Sequence, residues 1–168
     1  ALLGLLRVKD SEGNAVTEEE IHAVLAEGTS AGVIELQEHA MVRNVFRLDD
    51  RQLGSLMVPR ADVVHLDVNR SFEDHLERIE ESDHARFPVV KGSFDNLLGV
   101  INARQWLTHI MRDGDRKLGD QKLESPVYVP ETLTGMELLE HFRESGAQIA
   151  FVIDEYGEIL GSVTLHDL

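Results

Sequence analysis

Two stretches of this sequence are nearly alike. Residues 85–90 read ARFPVV and residues 97–101 read LLGVI, while residues 147–153 read AQIAFVI and residues 159–163 read ILGSV. The separation is predicted to be constant, because Ala147 follows Ala85 by 62 positions and Gly161 follows Gly99 by 62 positions. A repeated unit usually cannot bury its apolar face alone, so we expect the two copies to pack on each other and to form a cleft between them.

The composition limits the class of protein. The chain has 168 residues, 42% of them hydrophobic, which is enough for one large core or two small ones. It has no cysteine, which excludes disulfides, thiolate metal sites and cysteine nucleophiles. No apolar run approaches the ~20 residues that span a bilayer. Because the chain lacks an initiator methionine and stops at Leu168, early in its last predicted helix, we expect it to be a fragment of a longer protein.

The net charge is −15, which argues against a nucleic-acid partner because such proteins normally present a basic surface. The acidity favours solubility, with an acidic face that attracts divalent cations as the alternative. Eight histidines show no short ligand spacing, so we predict no metal site among them. We also find no catalytic motif and predict no catalytic residue.

Residues 1–54 are predicted to form a helical connector, with a loop at 10–14. Thr17 and Glu20 fit a capping box, and Gly28 is expected to end that helix. A second helix is predicted from about residue 34 to residue 48, and Asp49 is predicted to cap a third. The side chains expected to be buried in the second helix are Leu36, Val42, Val45 and Phe46.

Each copy is predicted to run strand, helix, strand, strand, helix, which gives an α+β fold. The first copy covers residues 55–111, a linker covers 112–124, and the second copy covers 125–168. In the first copy we predict strands at 62–66, 87–90 and 97–101, with a turn at 91–96. Ser71 and Asn102 are predicted to cap its helices, the second with Trp106 and Met111 on its inner side. In the second copy we predict strands at 127–129, 149–153 and 159–163 and a final helix that starts at Thr164.

This pattern resembles the tandem pair of CBS (cystathionine-β-synthase) domains. The motifs MVPR at 57–60, RFPV at 86–89 and VIDEYG at 152–157, together with the helical lead-in, resemble the CorC/HlyC family of divalent-cation transporters and hemolysin-like proteins. The resemblance covers about residues 55–168. It implies a regulatory module, not an enzyme, that binds an adenine nucleotide (AMP, or ATP with or without Mg²⁺). It also implies a parent protein whose transmembrane domain exports Mg²⁺ or Co²⁺, with the module at the cytoplasmic face of the inner membrane.

The cleft motif is Gly-x-x-Thr-x-x-Asp, which the second copy supplies as Gly161, Thr164 and Asp167. Thr164 as an N-cap and Asp167 near the helix dipole would have a purely structural role. The resemblance implies instead that the helix N-terminus binds a phosphate and that Asp167 accepts hydrogen bonds from ribose hydroxyls. The first copy has Asn102 and Gln105 at these positions, so we expect one nucleotide site in each chain.

Further contacts follow from the resemblance alone. Arg86 of the first copy would approach the phosphates from across the cleft, and Arg60 is a weaker candidate of the same kind. The adenine would lie against Val127 and Ile149. Without the resemblance, Arg86 is simply a charge at the end of a strand.

The pair is expected to form a homodimer. Two alternatives stay open at this point: a structural dimerisation module that binds no ligand, and an accessory domain of an enzyme. We also expect Mg²⁺ to strengthen the binding of ATP more than that of AMP, because ATP brings more negative charge to an acidic chain.

Overall fold

The computed structural model describes residues 16–168. The first of its two compact units ends at Val45, and the second runs from Phe46 to Leu168. In this part of the chain no helix has both the length and the hydropathy needed to cross a membrane. The predicted loop at 10–14 lies outside the described residues.

Helix α1 covers Glu18–Ser30 and begins as predicted. The Thr17 hydroxyl accepts the Glu20 N–H at 3.3 Å and the Glu20 carboxylate accepts the Thr17 N–H at 3.2 Å, which completes the capping box. The prediction that Gly28 ends this helix is wrong. A Cβ on Gly28 would lie 2.8 Å from Ile34 Cδ1, so the missing side chain makes room for packing, and the chain turns at Gly32 with a φ of +72°.

Helix α2 covers Leu36–Asp50, about two residues later at each end than predicted. Asp49 lies inside it, so the prediction that Asp49 caps a third helix is wrong. That helix, α3, covers Leu53–Leu56 and follows Gln52, which makes no side-chain capping bond. The predicted buried face of α2 is wrong for Leu36 and Val45, which are 78% and 53% exposed, whereas Val42 and Phe46 are half-buried and no residue of α2 is fully buried.

The second compact unit contains both copies of the repeat. Its remaining elements are, in chain order, β1 (Val58–Pro59), β2 (Leu66–Asp67), α4 (Phe72–Glu80), β3 (Arg86–Lys91), β4 (Ser93–Asn102), α5 (Ala103–Asp113), a 3₁₀ turn (Leu118–Asp120), β5 (Tyr128–Pro130), α6 (Gly135–Ser145), β6 (Ile149–Ile153) and β7 (Ile159–Thr164). One sheet has the order β2-β3-β4 and the other β1-β7-β6-β5. Each combines a parallel pair with an antiparallel hairpin, which confirms the predicted α+β fold.

The helix starts of the first copy are confirmed. The Ser71 hydroxyl accepts the Asp74 N–H at 3.1 Å, and Asn102 Oδ1 accepts the Gln105 N–H at 3.1 Å. Trp106 is 2% exposed, as expected for an inner position, but the prediction for Met111 is wrong because it is 87% exposed. Met111 follows Trp106 by five positions and therefore lies on another side of α5.

Three further predictions need correction: one strand, one turn and one helix. The first strand, predicted at 62–66, is the two-residue β2, which overlaps the prediction only at Leu66. The turn predicted at 91–96 is much tighter, because β4 starts at Ser93 and the chain reverses at Gly92 with a φ of +84°. The final helix is absent from the described residues, where Thr164 ends β7 and residues 165–167 form a turn.

The repeat does not keep a constant separation, and that prediction is wrong. Val89 pairs with Gly99, whereas Val152 pairs with Gly161, so the first strands of the two hairpins correspond at a separation of 63 and the second strands at 62. The second hairpin is therefore one residue shorter. In consequence Ile149, and not Gln148, is the structural counterpart of Arg86.

The two copies exchange short segments. Strand β1 lies at the beginning of the first copy but pairs with β7 of the second, with Val58 opposite Ser162. The segment before the second copy pairs in return with the first, since Glu124 and Val100 exchange backbone hydrogen bonds of 2.8 and 2.9 Å. The short helical elements that come before these segments also pack on the opposite copy. Leu53 of α3 is fully buried in the core of the second copy, and Leu118 of the 3₁₀ turn is buried in the core of the first.

Gly99 and Gly161 lie where these exchanged segments cross the hairpins. A Cβ on Gly99 would lie 2.8 Å from the Glu124 carbonyl oxygen and 2.7 Å from Leu123 Cβ, and a Cβ on Gly161 would lie closer still to the Val58 carbonyl oxygen. Any side chain would collide with backbone at these positions. The glycine of the Gly-x-x-Thr-x-x-Asp motif therefore has a structural role in both copies.

A third apolar cluster joins the two copies. Residues from both hairpins meet in it, with Val90 and Phe94 from the first copy packed with Phe151 and Ile159 from the second. The hairpins are buried on both faces, and this packing holds the first residues of β3 and of β6 side by side. Those ends border the cleft that follows.

Candidate functional site

A cleft of about 690 Å³ lies where the start of β3 meets the end of β7. This volume is within the range typical of small-molecule sites. We call it the second-copy cleft, because most of its polar groups come from that copy. It is lined by Asp83, His84, Ala85, Arg86, Gln148, Ile149, Thr164, Leu165, His166 and Asp167.

Thr164 and Asp167 are bound to each other in this cleft. One oxygen of the Asp167 carboxylate, Oδ2, accepts both the Thr164 N–H and the Thr164 hydroxyl, each at 2.7 Å. No hydrogen bond from the described residues engages the other oxygen, Oδ1. Asp167 is exposed and Thr164 is half-buried. The turn thus presents a carboxylate oxygen that can accept further hydrogen bonds.

Arg86 faces this turn from the first copy. Its Nε donates to Glu124 Oε2 at 3.1 Å, and its Nη1 donates to the side-chain oxygen of Gln148. The Arg86 side chain is 21% exposed and lines the cleft. A guanidinium has five N–H donors, so Arg86 can bind an anion in addition to these partners.

The remaining lining groups give the cleft an apolar edge and several polar neighbours. Ile149 is 6% exposed and contributes the buried edge, while Leu165 is 47% exposed. The sequence interpretation missed Asp83, His84, Gln148 and His166. The signal was available, since each of these residues lies within three positions of Arg86, Ile149 or Thr164 in the chain.

Two residues predicted for the site lie elsewhere. Arg60 forms an ion pair with Asp95, with Nη2 2.8 Å from Oδ1, and its guanidinium lies 5.9 Å from the centre of the Phe94 ring. The hydrogen bond from Arg60 holds the pKa of Asp95 below its usual value. Val127 is half-buried against the core of the second copy and accepts the Phe151 N–H. Neither residue lines the second-copy cleft, so their roles stay predictions.

The first copy has a related cleft of about 440 Å³, which we call the first-copy cleft. Its lining residues are Ile101, Asn102, Gln105, Trp106, His109, Asp120, Gln121, Lys122 and Glu124. Asn102 and Gln105 occupy the positions of Thr164 and Asp167. The Asn102 side chain is engaged in capping α5, and Gln105 supplies an amide where the other copy has a carboxylate. The first-copy cleft therefore has no carboxylate at the position that corresponds to Asp167, and its carboxylates, Asp120 and Glu124, come from the linker.

A protein-bound metal centre finds no support in the described residues. Between residues 16 and 168, no group of three or more histidine, aspartate or glutamate side chains is arranged to hold a metal ion.

Comparison with known proteins agrees with this architecture. The family model "CBS domain" matches residues 53–112 and 123–168, which together make up more than half of the chain. The structure matches that of the CBS domain of the bacterial CNNM/CorC family Mg²⁺ transporter with a TM-score of 0.75 and 30% identity, covering 90% of this chain and 93% of that one. The chain therefore belongs to the CBS domain family, as a CBS pair of the CorC/HlyC type.

The same transporter domain has also been solved in complex with ATP. That structure matches with a TM-score of 0.66 and 29% identity over 78% of this chain and 93% of that one.

Among curated relatives, a UPF0053 protein of Synechocystis is 37% identical over the full chain. The polyamine export protein of Haemophilus influenzae is 32% identical over 98% of the chain. The chain spans 37% and 38% of the length of these two relatives.

Proposed function

We propose that this CBS pair is a regulatory module that binds an adenine nucleotide in the second-copy cleft and controls cation transport by its parent protein. The observation that carries the proposal is the meeting of Arg86 from one copy with Thr164 and Asp167 from the other around one cleft. The complex of the related transporter domain with ATP supports the choice of ligand. The module itself performs no chemistry in this proposal.

The groups of the cleft match the parts of a nucleotide. The Arg86 guanidinium offers charge-assisted hydrogen bonds to a phosphate, and Oδ1 of Asp167 can accept hydrogen bonds from a ribose diol. Ile149 offers an apolar surface for the base. In the first-copy cleft the Gln105 amide is a weaker acceptor than a carboxylate, so the proposal assigns one nucleotide to each chain.

Mg²⁺ is proposed to accompany ATP and to matter less for AMP. ATP carries about four negative charges at neutral pH, and the chain has a net charge of −15. The cleft also contains two carboxylates, Asp83 and Asp167, against the single guanidinium of Arg86. A divalent cation on the phosphates offsets that repulsion, and AMP has less charge to offset.

The transported ion is proposed to be a divalent metal cation, Mg²⁺ or Co²⁺, and Mg²⁺ is the one named for the related CNNM/CorC transporter. A polyamine is the second candidate, because the relative from Haemophilus influenzae is a polyamine exporter. In either case we place the module at the cytoplasmic face of the membrane, attached to the transmembrane domain of the parent protein. A coupling of ~1–3 kcal/mol between nucleotide and transporter is enough to bias a gate.

The module is further proposed to act as a homodimer. A stable dimer should bury more than ~1,200 Å² in total, and light scattering at micromolar concentration should detect it. Only an 18.8 kDa species would contradict the dimer. A dimer that binds no nucleotide would instead favour a purely structural module.

Calorimetric titration of the chain with ATP and with AMP, each with and without Mg²⁺, tests the ligand. We expect both nucleotides to bind, and Mg²⁺ to tighten ATP binding more than AMP binding. Arg86→Gln should weaken ATP binding about 10- to 100-fold, because it removes a charge-assisted hydrogen bond. Arg104→Gln on the exposed side of α5 is the matched control and should bind as the parent does. If the folded chain without any substitution binds neither nucleotide, the proposal is refuted.

A further inference from the structure

We infer that Glu124 competes with the ligand's phosphate groups for Arg86 and thereby sets the affinity of the second-copy cleft for phosphorylated ligands. This inference rests on the nucleotide site proposed above. It concerns a residue that lines the first-copy cleft and yet contacts the second through its ion pair with Arg86.

The geometry of Arg86 carries the first step. Its guanidinium is bound to one negative partner, Glu124 at 3.1 Å, and to one neutral partner, Gln148. A phosphate that approaches Arg86 therefore meets a charge that is already balanced. The phosphate has to share or displace the carboxylate, which lowers the free energy gained on binding.

Glu124 can release Arg86 without unfolding its segment. Its backbone is fixed independently of its side chain, because its N–H donates to the Val100 carbonyl at 2.8 Å and its carbonyl accepts the Val100 N–H at 2.9 Å. The Glu124 side chain is 45% exposed and can turn into water, where a carboxylate is well solvated. Displacement thus costs only the ion pair.

Gln148 retains Arg86 when Glu124 leaves. Gln148 lines the second-copy cleft, and its carbonyl accepts the Leu165 N–H at 3.2 Å, which ties it to the turn that contains Asp167. The neutral amide can hold the guanidinium in position without reducing its charge. Glu124 therefore lowers affinity, whereas Gln148 positions the arginine.

The size of the effect follows from the exposure of the pair. Exposed ion pairs contribute little, so removing the competing charge should tighten ATP binding by about 1.5- to 5-fold. Adenosine has no phosphate to compete for Arg86 and should show no comparable gain.

Calorimetric titration of Glu124→Gln and of the parent chain with ATP and with adenosine tests this inference. Glu140→Gln on α6 is the matched control, because it removes the same charge at an exposed position that does not line the cleft. We expect Glu124→Gln to bind ATP more tightly than the parent, and Glu140→Gln to bind it as the parent does. Glu124→Ala should reproduce the gain.

The inference fails if Glu124→Gln binds ATP no more tightly than Glu140→Gln, or if adenosine gains by the same factor as ATP. Those results differ from a failure of the nucleotide site itself, in which the parent chain would bind no ATP. Thermal unfolding without ligand should give one cooperative transition both for the parent and for Glu124→Gln, with the midpoint of the variant lower by at most a few degrees, which shows that both are folded.

Discussion

The two clefts of this CBS pair share a scaffold and differ in chemistry. In both, a glycine lies under an exchanged segment and a polar residue ends the last strand of a hairpin. The second copy adds a carboxylate at Asp167 and faces an arginine, whereas the first copy has the Gln105 amide. The comparison shows that the glycine of the motif is required by the fold in both copies, so its presence does not indicate a ligand. Only the side chains that follow it can indicate one.

The exchange of segments should give the largest effects on stability. Leu53→Ala should destabilise the second copy and Leu118→Ala the first, each by about 2–5 kcal/mol, because each leaves a cavity in a core that is distant in sequence. Chemical denaturation gives the size of the loss. Hydrogen exchange gives its place: Leu53→Ala should speed exchange mainly in β5–β7, and Leu118→Ala mainly in β2–β4. The reverse pattern would contradict the conclusion that the two copies exchange segments.

The crossing glycines should come next. Gly161→Ala and Gly99→Ala each force a Cβ against backbone, which should cost about 1–3 kcal/mol, with Gly161→Ala the more damaging. Gly119→Ala is the control, because its Cβ would meet nothing closer than 4.0 Å. Midpoints of thermal unfolding that fall for neither crossing glycine would show that no segment crosses there.

A smaller effect concerns the stability of the fold in acid, to which Asp67 of the first copy contributes. Burial raises the pKa of Asp67 in the first copy, but hydrogen bonds from the Asn69 and Gly92 N–H groups outweigh burial and lower that pKa below 3.8. A lowered folded-state pKa stabilises the fold above about pH 4, and this contribution is lost as the pH falls through the folded-state value. Asp67→Asn should therefore lose about 1 kcal/mol or less at neutral pH and show a flatter decline of unfolding free energy between pH 4.5 and 2.5. An unchanged slope would contradict this account.

The sequence predicted the features that depend on neighbouring residues. The capping positions Thr17, Ser71 and Asn102 follow from patterns within four residues, and the repeat itself predicted the fold. Four residues predicted for the site, Arg86, Ile149, Thr164 and Asp167, line one cleft.

The features that the sequence could not predict depend on contacts between distant segments. A single-residue deletion in the second hairpin is invisible when both strands are apolar, so the separation looked constant. The burial of Leu53 and Leu118 is set by the opposite copy, and nothing near them in the chain shows it. The ion pair of Arg60 with Asp95, 35 positions away, likewise has no signal in the residues near Arg60, whose role at the site stays a prediction.

Titration with ATP of the variants Asp167→Ala and Gln105→Ala, which change corresponding positions of the two clefts, tests the central claim most directly. Loss of a charged hydrogen-bond acceptor should weaken ATP binding by Asp167→Ala about 10- to 100-fold. Gln105→Ala should bind ATP within about twofold of the parent, since a change in Kd of that size corresponds to only about 0.4 kcal/mol. If Asp167→Ala binds ATP as well as the parent does, or if Gln105→Ala loses as much affinity as Asp167→Ala, the nucleotide site is not in the second-copy cleft alone.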